Sequence, residues 1–230
     1  MTFAEFQKLG HLSRQDIYLE TFRQNRKSIR IKNEMTAVKN LGLIFDATLR
    51  ISNNKGFQAM TMRDLSRETG LSMGALYSYF SSKKELLEML QRQGRNVIRR
   101  ILEEQINVEK DPSTRLRAAI QTHIYLSEIM HPWFYFSYME AKNLKNGEGQ
   151  KAIASELYTE KLLADILKQG KDEGVFFMPD HQLTASIIKA MLQDWYLKRW
   201  KYAKRKVSVE KYTRLVLAFV EAFCLKKSLP

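Results

Sequence analysis

Apolar residues in this 230-residue chain recur at intervals of three and four and hardly ever at two, a period that admits helices and little else. The clearest run extends from Glu34 to Asn54. There Val38, Leu41, Ile44, Phe45, Thr48, Leu49 and Ile51 form one stripe that stops at the polar turn Asn53-Asn54-Lys55-Gly56. With only four prolines and ten glycines to interrupt such runs, the chain is expected to be all-α. An apolar fraction of 44% suffices for the core of one large domain or two small ones.

Cap signals set the element order. Thr61, with Asp64 three residues on, opens a short helix that ends at Gly70, and Ser72 caps a second one. The S-x-x-E box at Ser82 and Glu85 starts a long amphipathic helix through Leu86, Leu90, Val97, Ile101 and Leu102, continuing to about residue 106. Residues 34–90 thus read as a first domain and residues 111–230 as a second all-helical one. Asp111-Pro112 opens a helix through Leu116, Ile120 and Ile124, which His131-Pro132 breaks. An aromatic segment, WFYFSYM (133–139), precedes a polar loop with Gly147 and Gly149, then a helix through Ile153, Leu157, Leu163 and Leu167 to Gly174. Two final helices start at Asp180 and Ser208. The first carries Leu183, Ile187, Met191 and Trp195 on one face, and the second carries Tyr212, Leu215, Val216, Phe219 and Phe223.

Residues 1–33 form a separate basic extension. Ser13 offers a cap for a helix through Ile17, Tyr18 and Phe22, and RQNRKSIRIK (23–32) then carries five positive charges. Two readings stand: a solvated arm with partial helix, or an arm lying on DNA phosphates.

A formal charge of +13 recruits polyanions, nucleic acid first and anionic lipid second. No window reaches the roughly 18 apolar residues of a membrane span, and the amino terminus lacks the apolar core of a secretory signal, so a cytoplasmic protein without a membrane partner is expected. Cys224 is the single cysteine, set in the apolar run AFVEAFCL. It can form no intramolecular disulfide and reads as a buried thiol. No GxSxG, HExxH, phosphate-binding glycine loop or CxxC occurs, and His11, His123, His131 and His181 are scattered. No catalysis, metal site or cofactor is expected.

Two short helices joined by a glycine turn make a helix-turn-helix, whose second helix enters the major groove. Leu65, Leu71, Leu76 and Phe80 can lock the pair together, with Leu76 and Phe80 on one face and Tyr77 and Tyr79 left to point outward. An exposed phenol suits a phosphate. Gly74 and Ala75 have almost no side chain, so the helix can press against base edges while Ser72 or Met73 reaches neighbouring bases. Lys83 and Thr61, at two other helix starts, are placed for phosphates.

The run from Thr61 to Leu87, TMRDLSRETGLSMGALYSYFSSKKELL, resembles the DNA-binding signature of the TetR family of bacterial transcriptional regulators. The resemblance covers about residues 40–90, including IFDATL (44–49) and KGF (55–57), and is anchored at Gly70, Ser72, Gly74, Leu76, Tyr77, Phe80, Lys83 and Leu86. Matched position by position, it implies DNA contacts from Thr61, Arg63, Ser72, Met73, Gly74, Ala75, Tyr77, Tyr79 and Lys83. The chain departs from the pattern in its long basic extension and in Ile51-Ser52, where the family usually has an aromatic residue.

One reading helix covers few base pairs, so sequence specificity calls for two copies a helical turn apart and hence for a homodimer on a palindromic double-stranded operator. The resemblance implies that the last two helices pair across a two-fold axis. It further implies that the middle of the second domain holds a small-molecule effector, with repression as the usual mode. The candidate lining is His123, Trp133, Phe134, Phe136, Tyr138, Tyr158 and Trp195, which suits a hydrophobic ligand. The run WYLKRWKYAKRK (195–206), with six basic residues and no acid, reads as a solvated helix end, a second nucleic-acid surface or a dock for an anionic ligand such as a fatty acyl-CoA. The competing reading is a helical interaction module that binds DNA without sequence specificity.

Overall fold

The computed structural model describes residues 1–9, 13–141 and 148–225, without the side chains of residues 14, 141 and 148–156. Its elements are α1 (Phe3–Gln7), α2 (Arg14–Gln24), α3 (Glu34–Lys55), α4 (Met62–Thr69), α5 (Met73–Leu76), α6 (Lys83–Asn107), α7 (Pro112–Ile129), α8 (His131–Ala141), α9 (Glu148–Asp172), α10 (His181–Leu197), α11 (Arg199–Lys204) and α12 (Val209–Cys224). No strand occurs among the described residues.

Capping residues place most of these boundaries. Asn33, Ser72, Ser82 and Ser208 each accept a backbone N–H in the first turn of α3, α5, α6 and α12, and Asp111 and Asp180 each accept two in α7 and α10. Thr61 and Asp64 close a reciprocal box at α4. The box expected at α6 closes differently, because the Glu85 carboxylate takes the backbone and hydroxyl of Ser81 rather than the backbone of Ser82. Gly56 and Gly70 end α3 and α4 at φ of 85° and 71°, a region in which a side chain would be strained.

Four sequence expectations change. The aromatic stretch 133–139, to which the sequence assigns no element, is helix α8; α7 does end at Ile129, and Pro132 sits in the first turn of α8, where a missing N–H removes no helical bond. Helix α9 begins at Glu148, so Gly149 lies within it, whereas Gly147 lies outside the described residues. A short α11 divides the last two expected helices. The extension is no solvated arm: Phe6, Ile17, Phe22 and Ile29 are buried, α2 packs along α3 and touches α6, and α1 packs on α7. Four large apolar side chains were enough to fold it onto the body. Phe6 lies against Tyr125 of α7 and Tyr18 against Phe45 of α3, while Arg100 of α6 pairs with Glu20 at 2.9 Å.

Helix α7 is the centre of the second domain, packed by α6, α8, α9, α10 and α12. Helix α8 is the joint to the first. At its start, Asn53 of α3 donates to the Pro132 carbonyl at 2.9 Å. The Trp133 indole N–H donates to the Leu90 carbonyl at 3.2 Å, its ring lying where a Cβ on Gly94 would come within 2.0 Å. Farther along, Phe136 meets Phe57 with ring centroids 6.0 Å apart, and the buried Glu140 accepts the Phe57 N–H at 3.2 Å. Burial pushes the Glu140 carboxyl above its ordinary value.

Candidate nucleic-acid interface

The α4–α5 pair is built around Gly70. Its left-handed φ turns the chain, the Ser66 hydroxyl donates to the Leu71 carbonyl at 2.6 Å, and Leu65, Leu76 and Phe80 are buried beneath. What remains outward on α5 is the set Ser72, Gly74 and Tyr77, exposed, with Met73 and Ala75 half-buried beside them. A Cβ added at Gly74 would meet nothing nearer than the Ser72 Oγ at 4.0 Å. The fold therefore does not require glycine at this position, in contrast to Gly42, Gly94 and Gly170, which are pressed by Tyr18, Trp133 and Phe176. A bare backbone on an open face suits close approach by a large rigid surface, and a groove floor is one.

Tyr77 is 43% exposed and keeps its place at this face, but Tyr79 does not. Its ring is fully buried, and its hydroxyl accepts from the Asn40 side chain of α3 at 2.9 Å. Burial raises its phenol above the ordinary value. The reason is angular: Tyr79 lies three residues beyond Leu76, on the same side as Leu76 and Phe80, whereas Tyr77 lies about 100° away. Tyr79 thus pins the reading helix to α3, and the outward orientation expected from sequence is corrected.

Cations frame the face. Arg63 is exposed at the start of α4. Lys83, in the first turn of α6, is half-buried, donating to the Gln58 carbonyl at 2.8 Å with its ammonium 4.8 Å from the Phe57 ring centroid. Burial lowers its pKa. The Thr61 hydroxyl is committed to the Asp64 carboxylate at 2.7 Å. Asp64 also holds Lys55 at 2.7 Å and Arg67 at 3.0 Å; the hydrogen bonds from Lys55 and then Thr61 keep its carboxyl well below the usual range. The Thr61–Asp64 cap was legible in the sequence, but Lys55 on Asp64 and Asn40 behind Tyr79 were not, and no spacing rule joins residues 39 apart.

In the second domain the aromatic residues divide. His123 and Phe134 meet edge to face with centroids 5.3 Å apart, Tyr196 lies against Phe134, and the Lys189 ammonium is 3.5 Å from His123 Nε2. This cluster is buried in the middle of the helices, and His123 Nδ1 has no partner among the described residues. Trp133 and Phe136 instead serve the joint with the first domain. Trp195 stacks with Tyr202 and Tyr212 and donates to Glu128 at 3.1 Å. Tyr158 donates to Glu103 at 2.8 Å, and Tyr138 packs half-buried against the core. In the basic run 195–206, Arg199 is held by Glu128, and Lys198 and Lys201 share Asp194, so three of its six cations are paired internally, with two carboxylates.

One large apolar face has no cover among the described residues. Leu183 and Ile187 of α10 and Leu215, Phe219 and Phe223 of α12 are each more than half exposed, with Phe219 at 63%. Ile187, Phe219 and Phe223 flank a groove of about 210 Å³ floored by Ile188, Met191 and Val220. Among the described residues no metal-binding cluster occurs, and no helix is long and apolar enough to cross a membrane.

Comparison with known proteins agrees with this geometry. Residues 44–90 match the model for bacterial regulatory proteins of the tetR family, and residues 109–220 match the tetracyclin repressor-like C-terminal domain. The HTH-type transcriptional repressor KstR2 of Mycobacterium tuberculosis is 24% identical over 182 residues, 78% of this chain and 90% of the relative. The regulator PksA of Bacillus subtilis is 25% identical over 194 residues, 80% and 89% of the two chains. The solved structure of KstR2 superimposes with a TM-score of 0.73 at 20% identity, covering 87% of this chain and 99% of that one. AibR, in complex with isovaleryl coenzyme A and operator DNA, gives 0.68 at 17% identity, covering 80% and 97%. Matched by family models in both halves, the chain belongs to the TetR family of bacterial transcriptional regulators, DNA-binding proteins rather than enzymes.

Proposed function

We propose that two copies of this chain form a homodimeric repressor that acts in the cytoplasm. It sets its paired α5 helices, with Ser72 before them and the turn through residue 79 after, into successive major-groove segments of a palindromic operator. The observation that carries this reading is the open, side-chain-free Gly74 on an outward face held rigid from behind by Leu76, Tyr79 and Phe80. Ser72, Met73 and Ala75 take the base edges, and Arg63, Tyr77 and Lys83 the flanking phosphates. Thr61 contributes by bracing the start of α4 through Asp64. Dimerisation uses the bare α10–α12 face, whose exposed leucines, isoleucine and phenylalanines belong in an interface.

Release is assigned to a small, largely apolar effector, with fatty acyl-CoA the favoured class. AibR, which shares the fold, was solved with an acyl-CoA and operator DNA. Here the aromatic cluster around His123 and Phe134 offers apolar walls and the Lys189 ammonium a cation for an acidic head. Helix α8 links the two ends, with Phe134 on the cluster and Phe136 and Glu140 on Phe57. A ligand that shifts α8 moves the loop beneath Lys83 as well.

The test is selection of bound sequences from a random duplex pool, followed by release assays with acyl-CoAs of increasing chain length. Enrichment of a palindrome supports the dimeric regulator. Binding of all duplexes alike overturns it in favour of unspecific association. If no acyl-CoA of any length displaces the protein from the enriched sequence, the effector class is wrong.

A further inference from the structure

We propose that residues 27–32, at the end of the amino-terminal extension, form a second DNA-contacting surface, placing Lys27, Arg30 and Lys32 on phosphates flanking the segment that α5 reads. The inference rests on the reading of α5 above and extends its footprint.

The segment is fixed to the reading head. The Arg30 backbone N–H donates to the Ser78 carbonyl at 2.8 Å, and Ser78 directly follows the exposed Tyr77. Upstream, the buried Asn25 ties the end of α2 down. Its side chain donates to the Thr21 carbonyl and accepts from Arg92 of α6, and its own carbonyl accepts the N–H groups of Ser28 and Ile29. Between these anchors the chain turns over residues 25–28 and then runs without helix or strand to Asn33. Ile29 is buried and Ile31 half-buried, which leaves Arg30 and Lys32 outward beside the α5 face.

Charge bookkeeping separates the five cations of this run. Arg23 lies 3.6 Å from Glu34, and Arg26 sits over the Phe22 ring and donates to the Ile29 carbonyl. Those two have structural employment. Lys27, Arg30 and Lys32 are exposed and make no ion pair among the described residues. Three uncompensated cations on a segment tied by Arg30 to the groove-reading helix repel one another. A row of phosphates at the groove edge is the polyanion that their position meets.

The experiment compares the full chain with the triple variant Lys27→Gln, Arg30→Gln and Lys32→Gln, which leaves the Arg30 backbone bond intact. A control, Lys110→Gln, Lys168→Gln and Lys171→Gln, removes equal charge beyond the far end of α6. That helix of 25 residues spans about 37 Å, well over a Debye length of about 10 Å. Affinity is measured against salt concentration for the random duplex pool and for the sequence that the wild type selects from it. Each phosphate contact contributes about 0.9 to the slope of log K against log salt. The first variant is expected to lose 2 to 3 from that slope (by the same ~0.9 per contact) and to protect a shorter stretch from nuclease cleavage, with an unchanged melting temperature. The far-end control should keep the wild-type slope and footprint. Equal slopes for the two variants on both DNAs overturn the proposal. If the wild type selects a sequence and the slopes match, only the second surface fails. If it selects none while the slopes differ, the surface stands and the operator reading fails.

Discussion

Gly74 and Gly94 both sit within helices, for opposite reasons. At Gly94 the Trp133 ring occupies the space of a side chain, and at Gly74 the space is open. Gly74→Ala is therefore expected to stabilise the folded protein slightly, by up to about 1 kcal/mol from helix propensity, while weakening operator binding about tenfold or more. Denaturant melts and titrations of labelled operator give the two signs separately, and unchanged affinity would mean that α5 does not approach DNA closely. Lys83→Ala should lower the salt slope of binding by about 1. If stability falls instead while the slope stays at its wild-type value, Lys83 serves only to pack Phe57 and the Gln58 carbonyl.

Among elements, α12 carries the most consequential unpartnered face. In the proposed dimer, Phe219→Glu puts two like charges against each other across the two-fold axis, in place of an aromatic anchor worth about 2 kcal/mol or more. The dimer dissociation constant should rise at least about thirtyfold by that measure. Sedimentation should register monomers, with α-helical content retained and preference for a palindrome over a half-site lost. A variant still dimeric at micromolar concentration would place the interface elsewhere. Helix α8 is more fully engaged, burying Trp133, Phe134, Phe136 and Glu140 while Pro132 and Met139 stay exposed. Its sequence, HPWFYFSYMEA, has apolar residues all round, which is the pattern of a helix enclosed by neighbours rather than one facing solvent.

For the whole molecule, the enclosed His123 sets a pH dependence. Burial first, and the Lys189 charge second, hold its pKa well below the ordinary 6.5. The unfolded chain then binds a proton below about pH 6.5 that the folded chain does not, so stability declines as pH drops through that value. The decline approaches about 1.4 kcal/mol per pH unit until the folded ring titrates. Melts between pH 7 and pH 5 should register it, and His123→Leu should flatten that window. Asp194 acts lower. Burial pushes its carboxyl up, but bonds from Lys198, Lys201 and Tyr202 outweigh this and hold it at about 2, so its contribution is present above the ordinary carboxylate range and is lost only in stronger acid. A slope unaffected by His123→Leu would assign the decline to other groups.

Helices α3 to α7, α10 and α12, their caps and the turn at Gly70 were legible in the sequence because each depends on neighbours within four residues, whereas α1, α8 and α11 were not. Thr61, Ser72, Asp111 and Asp180 carry their hydrogen-bond partners with them. The facing of Tyr79 was partly legible, since its three-residue offset from Leu76 turns it inward, but Asn40, which receives it, is 39 residues away. Only the tertiary structure decided that the basic extension folds onto α3 and α7, that Arg30 meets Ser78, and that Trp133 and Phe136 join two domains. Those outcomes depend on contacts between distant segments, where burying Phe6, Ile17, Phe22 and Ile29 outweighs the entropy of ordering a charged arm.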